Sequence, residues 1–111
     1  MVTIETAFGL MALVMVTAFG VFALAVGVAQ IRCVDAARDT ARSAARGETL
    51  SASRAVGIRT APSGAIVTVA RSGDRVSVSV QAQVRAPGLL ARLGSVAVHA
   101  QSSVDAEPGS P

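Results

Sequence analysis

The chain has 111 residues, 51% of them hydrophobic, a formal net charge of +3, one cysteine, one histidine, and neither Trp nor Tyr. That length allows one domain plus an anchor, and a lone cysteine and lone histidine exclude an internal disulfide framework and metal sites built from several thiolates or imidazoles. All ten basic residues are Arg; they are spread along the chain and have no Tyr or Trp beside them to stack on bases, so the basicity reads as coding bias and not as a nucleic-acid surface.

Glu5 is the only charged residue among the first 31, and it stands in front of a run from Thr6 to Ile31 that holds no Asp, Glu, Lys or Arg. Those 26 residues make a helix about 39 Å long, enough to cross a ~30 Å hydrocarbon core with some tilt. A secretory signal needs a basic start, a shorter apolar stretch and a small-residue cleavage site. Here the start is Met1-Val2-Thr3-Ile4-Glu5 and the run flows into a polar helical pattern, so the expectation is an uncleaved transmembrane helix over residues 1–31. A carboxylate that must enter hydrocarbon costs ~3 kcal/mol or more and is a functional hypothesis by default, whereas at a solvated helix start it only suits the helix dipole. Position alone leaves both roles open for Glu5. Gly20, Ala23 and Gly27 line one face, and Ala23 with Gly27 and Ala25 with Ala29 form small-xxx-small pairs that let helix backbones pack closely, although glycine is in any case more frequent in membrane helices.

Helical periodicity continues through residues 32–47, a polar extension of the same helix. Cys33, Ala37, Ala41 and Ala44 share one face, with Val34 and Ala45 beside it, and Arg32, Asp35, Arg38, Asp39, Arg42 and Arg46 populate another. Asp35 with Arg38, and Asp39 with Arg42, stand at i,i+3 spacing, worth ~0.2–0.5 kcal/mol each. Gly47 is placed to end the helix. Cys33 reads as a small buried hydrophobe, with acylation or an intermolecular disulfide as the alternatives.

Residues 48–106 read as a small α+β domain. Glu48 to Ile58 predicts a short helix, with Thr49 as N-cap and Gly57 near its end, and Ala61-Pro62-Ser63-Gly64 is a loop. Ala65 to Arg71 is a β-branched run whose inward face the pattern leaves open, and Ser72-Gly73-Asp74 is a turn. Val76, Val78, Val80, Ala82 and Val84 alternate with Ser77, Ser79, Gln81 and Gln83, the mark of a strand with one buried and one wet face. After Ala86-Pro87-Gly88, Leu89, Leu90 and Leu93 form an apolar connector closing at Gly94; a third strand then sets Val96, Val98, Ala100, Ser102 and Val104 on one face and His99 on the wetter one. The tail, residues 107–111, is expected to be disordered. The fold class is therefore α+β: a long N-terminal transmembrane and amphipathic helix followed by a three-stranded antiparallel sheet. The sheet's apolar face needs a cover, which the Ala stripe of the helix can supply.

The opening Met1-Val2-Thr3-Ile4-Glu5 resembles the mature start of a type IV pilin or pseudopilin. The stretch Gln30-Ile31-Arg32-Cys33-Val34-Asp35-Ala36-Ala37-Arg38, Gly73-Asp74 before the alternating strand, and Pro87-Gly88-Leu89-Leu90 with Leu93-Gly94 resemble TadE-like minor pilins of actinobacteria. The resemblance covers nearly the whole chain. It implies that prepilin peptidase cuts after a Gly closing a short basic leader and leaves Met or Phe first and Glu fifth. Met1 is then the processed terminus, a start assigned too late, or an initiator without a leader. It further implies a subunit whose Glu5 carboxylate pairs with the N-terminal ammonium of a neighbour, the role Met1 would play, which neutralises two charges in an apolar setting.

The leading expectation is a minor pilin or pseudopilin of a Tad-type (type IV) pilus, acting through helix bundling and without catalysis. Its partners are other pilin subunits and the pilus assembly machinery in the membrane, and it needs no cofactor, metal or small-molecule substrate. The resemblance places it in the inner membrane as a single-pass protein with the C-terminal domain outside, or at the pilus and cell surface. The Arg-rich segment after the span would by itself favour a cytoplasmic C-terminus. The alternative is a membrane-anchored binding or regulatory module that never enters a filament. An enzyme is disfavoured because no nucleophile stands with its base.

Overall fold

Leucine, methionine, valine and alanine fill the first thirty residues, and in such a run only a helix satisfies every backbone group internally. The computed structural model, which describes residues 2–86, 88, 92 and 94–105, has one unbroken helix there, α1 (Val2–Ala45), 44 residues and about 66 Å long. It stops at Gly47, which takes φ 93°. The Gly47 N–H donates to the Ala44 carbonyl (3.1 Å) and the Glu48 N–H to the Ser43 carbonyl (3.4 Å), the paired bonds of a Schellman stop. The expectations for Met1, for Leu89, Leu90 and Leu93, and for the tail concern residues outside the described set.

Thr49 caps the next helix, α2 (Leu50–Thr60), its hydroxyl accepting from the Ala52 N–H at 3.1 Å. The helix ends at Thr60, two residues past the expected Ile58, and Gly57 stands near that end, its carbonyl accepting from the Ala61 N–H at 2.9 Å. Gly57 is buried, and a Cβ there would press on the Thr40 side chain and lie 3.1 Å from Val67 Cγ1. Besides standing near the helix end, the glycine allows a close crossing of α2 over α1.

The three strands β1 (Ile66–Ser72), β2 (Arg75–Arg85) and β3 (Ser95–Asp105) form an antiparallel meander in the order β1-β2-β3. Ser72 pairs with Arg75 across the turn, with Gly73 at φ 60°, the first central position at which a tight hairpin takes glycine. Register places Val67 opposite Val80 and Val69 opposite Val78, then Val80 opposite Ala100 and Ala82 opposite Val98. The face left open for β1 is thereby settled: Val67 and Val69 turn inward, and Ile66 is 60% exposed.

The core lies between that sheet face and the helix. Val76, Val78 and Val80 are fully enclosed against Ala29, Cys33, Ala36, Ala37, Ala41 and Ala44. Only small side chains on the helix let it lie this near a valine-faced sheet. Thr40 and Ser43 complete the stripe; the Thr40 hydroxyl donates to the Ala36 carbonyl at 2.7 Å, so no polar atom is stranded there. The molecule measures 77 × 19 × 18 Å. An eleven-residue strand is about 36 Å long, too long to lie across that width, so the strands run along the helix axis.

Candidate functional site

Two contacts fix the height of the sheet along α1. At the outer end Arg71 Nη2 donates to the Ala44 carbonyl at 2.8 Å, and at the inner end Gln30 Nε2 donates to the His99 carbonyl at 2.9 Å. Ser95 lies four residues before His99, ~13 Å further along the strand, or about nine helix residues. The sheet therefore begins beside Val21 and Phe22. Burial agrees, since Ala18, Phe22 and Val26 are half-buried and Ala29 is the first buried residue of α1. The apolar run to Ile31 is thus shared: its last third lies alongside the sheet, and the part from Val2 to Val21, ~30 Å long, is exposed among the described residues apart from half-buried Ala18.

The exposed part carries the sequence candidates. At about 100° per residue, Glu5, Gly9, Gly20, Ala23 and Gly27 fall on one side of α1, roughly a third of a turn from the side that meets the sheet. Glu5 is exposed in the first turn. Among the described residues, nothing outside the local turn of α1 comes within 4 Å of a Cβ built on Gly9, Gly20 or Gly27. The second small pair behaves differently: Ala29 is 7% exposed and belongs to the chain's own core, while Ala25 is exposed at the edge of a groove. Gly20, Ala23 and Gly27 are available to another helix, and the Ala25–Ala29 pair is partly taken. Met1, the other assembly candidate, lies outside the described residues.

Cys33 is completely buried under the sheet, and burial pushes its thiol up from the ordinary value of 9.0. His99 faces solvent on the opposite side of the sheet, so the two are kept apart. Asp39 and Arg42 form their expected pair at 3.0 Å, while Asp35 and Arg38 form none among the described residues. At the outer end of α1 the Ser53 hydroxyl donates to Ser43 Oγ at 3.2 Å, Ser43 donates to Glu48, and Glu48 faces Arg46 at 3.9 Å. Spacing alone could not foresee this cluster, the Arg71 cap or the Gln30 tie, because each joins elements whose relative placement only the fold sets. Among the described residues no group of His, Cys, Asp or Glu is placed to hold a metal ion.

These features define a class: an α+β domain borne on the outer half of a single long helix whose inner half is apolar and exposed. Among the described residues α1 is the one helix long and apolar enough to cross a membrane, with a window of mean hydropathy 2.4 of which none is buried. The chain is similar to a protein of Mycobacterium tuberculosis named apoptosis inhibitor Rv3655c, with 41% identity over 81 residues, which cover 73% of this chain. It spans only 59% of that protein's length. No family model matches the chain, and no solved structure matches it.

Proposed function

We propose that the protein is a minor pilin or pseudopilin of a Tad-type pilus, a structural subunit of the inner membrane that assembles through its N-terminal helix. The observation that carries this reading is the shared face of Glu5, Gly9, Gly20, Ala23 and Gly27, with open space over each of these glycines among the described residues. A carboxylate costs too much to leave unpaired in hydrocarbon, and small residues in line with it let a second helix approach closely enough to bring a partner charge. The N-terminal ammonium of a neighbouring subunit is that partner, and the sheet domain is displayed on the extracytoplasmic side. Residues 2–45 bundle and the sheet faces outward, with assembly driven by a separate machinery. No step of this role needs catalysis.

The test is Glu5→Ala in the native host. The variant subunit should insert in the membrane and retain its sheet domain, yet be lost from sheared filaments. Filament incorporation equal to that of the parent would remove the basis of the reading. A second reading is a membrane-anchored binding module that never enters a filament; the relative's name, apoptosis inhibitor, speaks for neither reading. Such an anchor would tolerate Glu5→Ala.

A further inference from the structure

The helices beneath the sheet reach further sideways than the sheet itself. α1 lies under β2 and β3 and α2 under β1, where Gly57 meets Val67. With strands ~4.8 Å apart, a helix centred below β2 and β3 has its axis ~7 Å from β1. A second helix packed ~8–10 Å from the first then has its axis at or just beyond β1, and its outer side chains stand about one strand-width further out. That overhang is a groove of about 400 Å³ between Leu50, Ser51 and Arg54 of α2 and residues 66–69 of β1. Leu50, Arg54 and Ile58 recur at every fourth residue along this side of α2; Leu50 is 42% exposed, Ile58 51% and Ile66 60%. The other wall is an open strand edge. Ser72 and Arg75 face each other across a two-residue turn, which makes them a hydrogen-bonded pair. Every second residue back to Ile66 therefore bonds to β2, and the N–H and C=O groups of Val67 and Val69 point the other way. Among the described residues no backbone group outside the sheet bonds to them. Edges of this kind are ordinarily blunted by Lys, Pro or a covering loop, yet this one reads Ile66-Val67-Thr68-Val69 and its nearest basic residue, Arg71, is turned back to the Ala44 carbonyl.

We propose that this edge takes a fourth strand from a partner protein: an extended acidic segment with apolar residues at alternate positions. Its backbone bonds to Val67 and Val69, its apolar side chains cover Leu50 and Ile58, and a carboxylate meets Arg54. Three observations select this occupant. An unpaired ladder is complementary to extended backbone, and the apolar residues below it to side chains of period two. Charge is the second. From Thr49 to Gly73, the stretch that builds both walls, there are Arg54, Arg59 and Arg71 and no Asp or Glu. The carboxylates at that end of α1 are already engaged, Asp39 by Arg42 and Thr60, and Glu48 by Ser43 and Arg46. Space is the third, because the overhang is one strand wide and is floored by α2. A second copy of this chain does not fit it. Added through β1 or β3 with its valine face turned the same way, it would bring its own α2 or α1 into the volume that α2 fills. The site is independent of Glu5 and of entry into a filament.

The experiment uses the full chain, isotopically labelled in detergent micelles, and a synthetic peptide that alternates valine with glutamate and threonine. Amide hydrogen exchange is read residue by residue. In the free chain the Val67 and Val69 amides should exchange much faster than those of Thr68 and Ala70, which the ladder holds. Saturating peptide should slow Val67 and Val69 about tenfold or more and leave β3 unchanged. N-methylation of one alternate set of peptide amides should abolish the effect, and methylation of the other set should spare it, since a strand pairs along one edge. Arg54→Gln should weaken binding about fivefold, the upper worth of an exposed ion pair, and Arg59→Gln, on the far side of α2, should leave it nearly unchanged. No protection by the acidic peptide, or equal protection by one with lysine in place of glutamate, overturns the site. Val67 and Val69 amides already protected in the free monomer also overturn it, because the chain would then cover its own edge. Protection that rises with protein concentration alone would make the occupant a second copy and overturn it as well.

Discussion

Gly57 and Thr40 meet face to face where α2 crosses α1, and no room is left between them for a methyl group. Val67 of β1 closes the same spot at 3.1 Å from the position of a Cβ, so a helix, a second helix and a strand all converge on one missing side chain. Two opposed effects act on Gly57→Ala. Alanine in place of a helix-interior glycine gains ~1 kcal/mol of propensity; overpacking against the Thr40 side chain and Val67 costs ~1–3 kcal/mol. The second wins, because Thr40 is buried and tied to the Ala36 carbonyl and cannot swing aside. The expected outcome is a net loss on the order of 1 kcal/mol in urea unfolding of the full chain in detergent. Thr40→Ala in the Gly57→Ala background should restore part of it, and a fully additive double mutant would show that the two side chains do not compete.

The same crossing marks where sequence reading reaches its limit. The alternation of Val76 to Val84 declares a one-sided strand, and the Ala stripe from Cys33 to Ala44 declares its cover, because both patterns are local and periodic. Thr49 and the turn at Gly73 are legible for the same reason. Gly57 is legible as a residue near the helix end, but its part in the crossing is not, because only the neighbour across the gap reveals it. β1 is ambiguous because Ile66, Val67 and Val69 offer apolar residues to both faces, and pairing with β2 decides. Of the candidate site, Glu5 and the small residues are visible as types. That they share one bare side, and that Ala29 does not, follows from where the sheet docks.

Cys33 supplies a prediction with a pH sign. Desolvation holds its thiol neutral above the ordinary value of 9.0, so the folded state keeps a proton that the unfolded chain gives up in alkali. Stability from this group is fully present below that value and falls as pH rises beyond it. At neutral pH a maleimide should leave the native protein in detergent unlabelled and react fully after denaturation, because the sulfur is enclosed by the sheet. Cys33→Ala should flatten part of the alkaline decline in unfolding free energy. Rapid labelling of native protein would mean that the helix and sheet separate far more often than this core allows.

The two stripes of small residues on α1 make opposite demands, and one substitution type separates them. Ala41 is fully enclosed between helix and sheet, so Ala41→Leu must push the valine face of β2 outward, at ~1–3 kcal/mol or more. The domain should melt early in detergent regardless of any partner. Gly27 has open space where its side chain would be, so Gly27→Leu should leave the unfolding transition of the isolated subunit unchanged or slightly raised, since leucine is the better helix former. Its effect should appear only when subunits meet, as a fall in filament recovery comparable to that of Glu5→Ala, because both residues lie on the side turned away from the sheet. If Gly27→Leu subunits assemble as well as the parent, the helices do not pack through this side, and the pairing of Glu5 with a neighbour's terminus would have to be reached from another direction. If Ala41→Leu subunits are as stable as the parent, the sheet does not rest on the alanine stripe, and the fold described above is wrong at its centre.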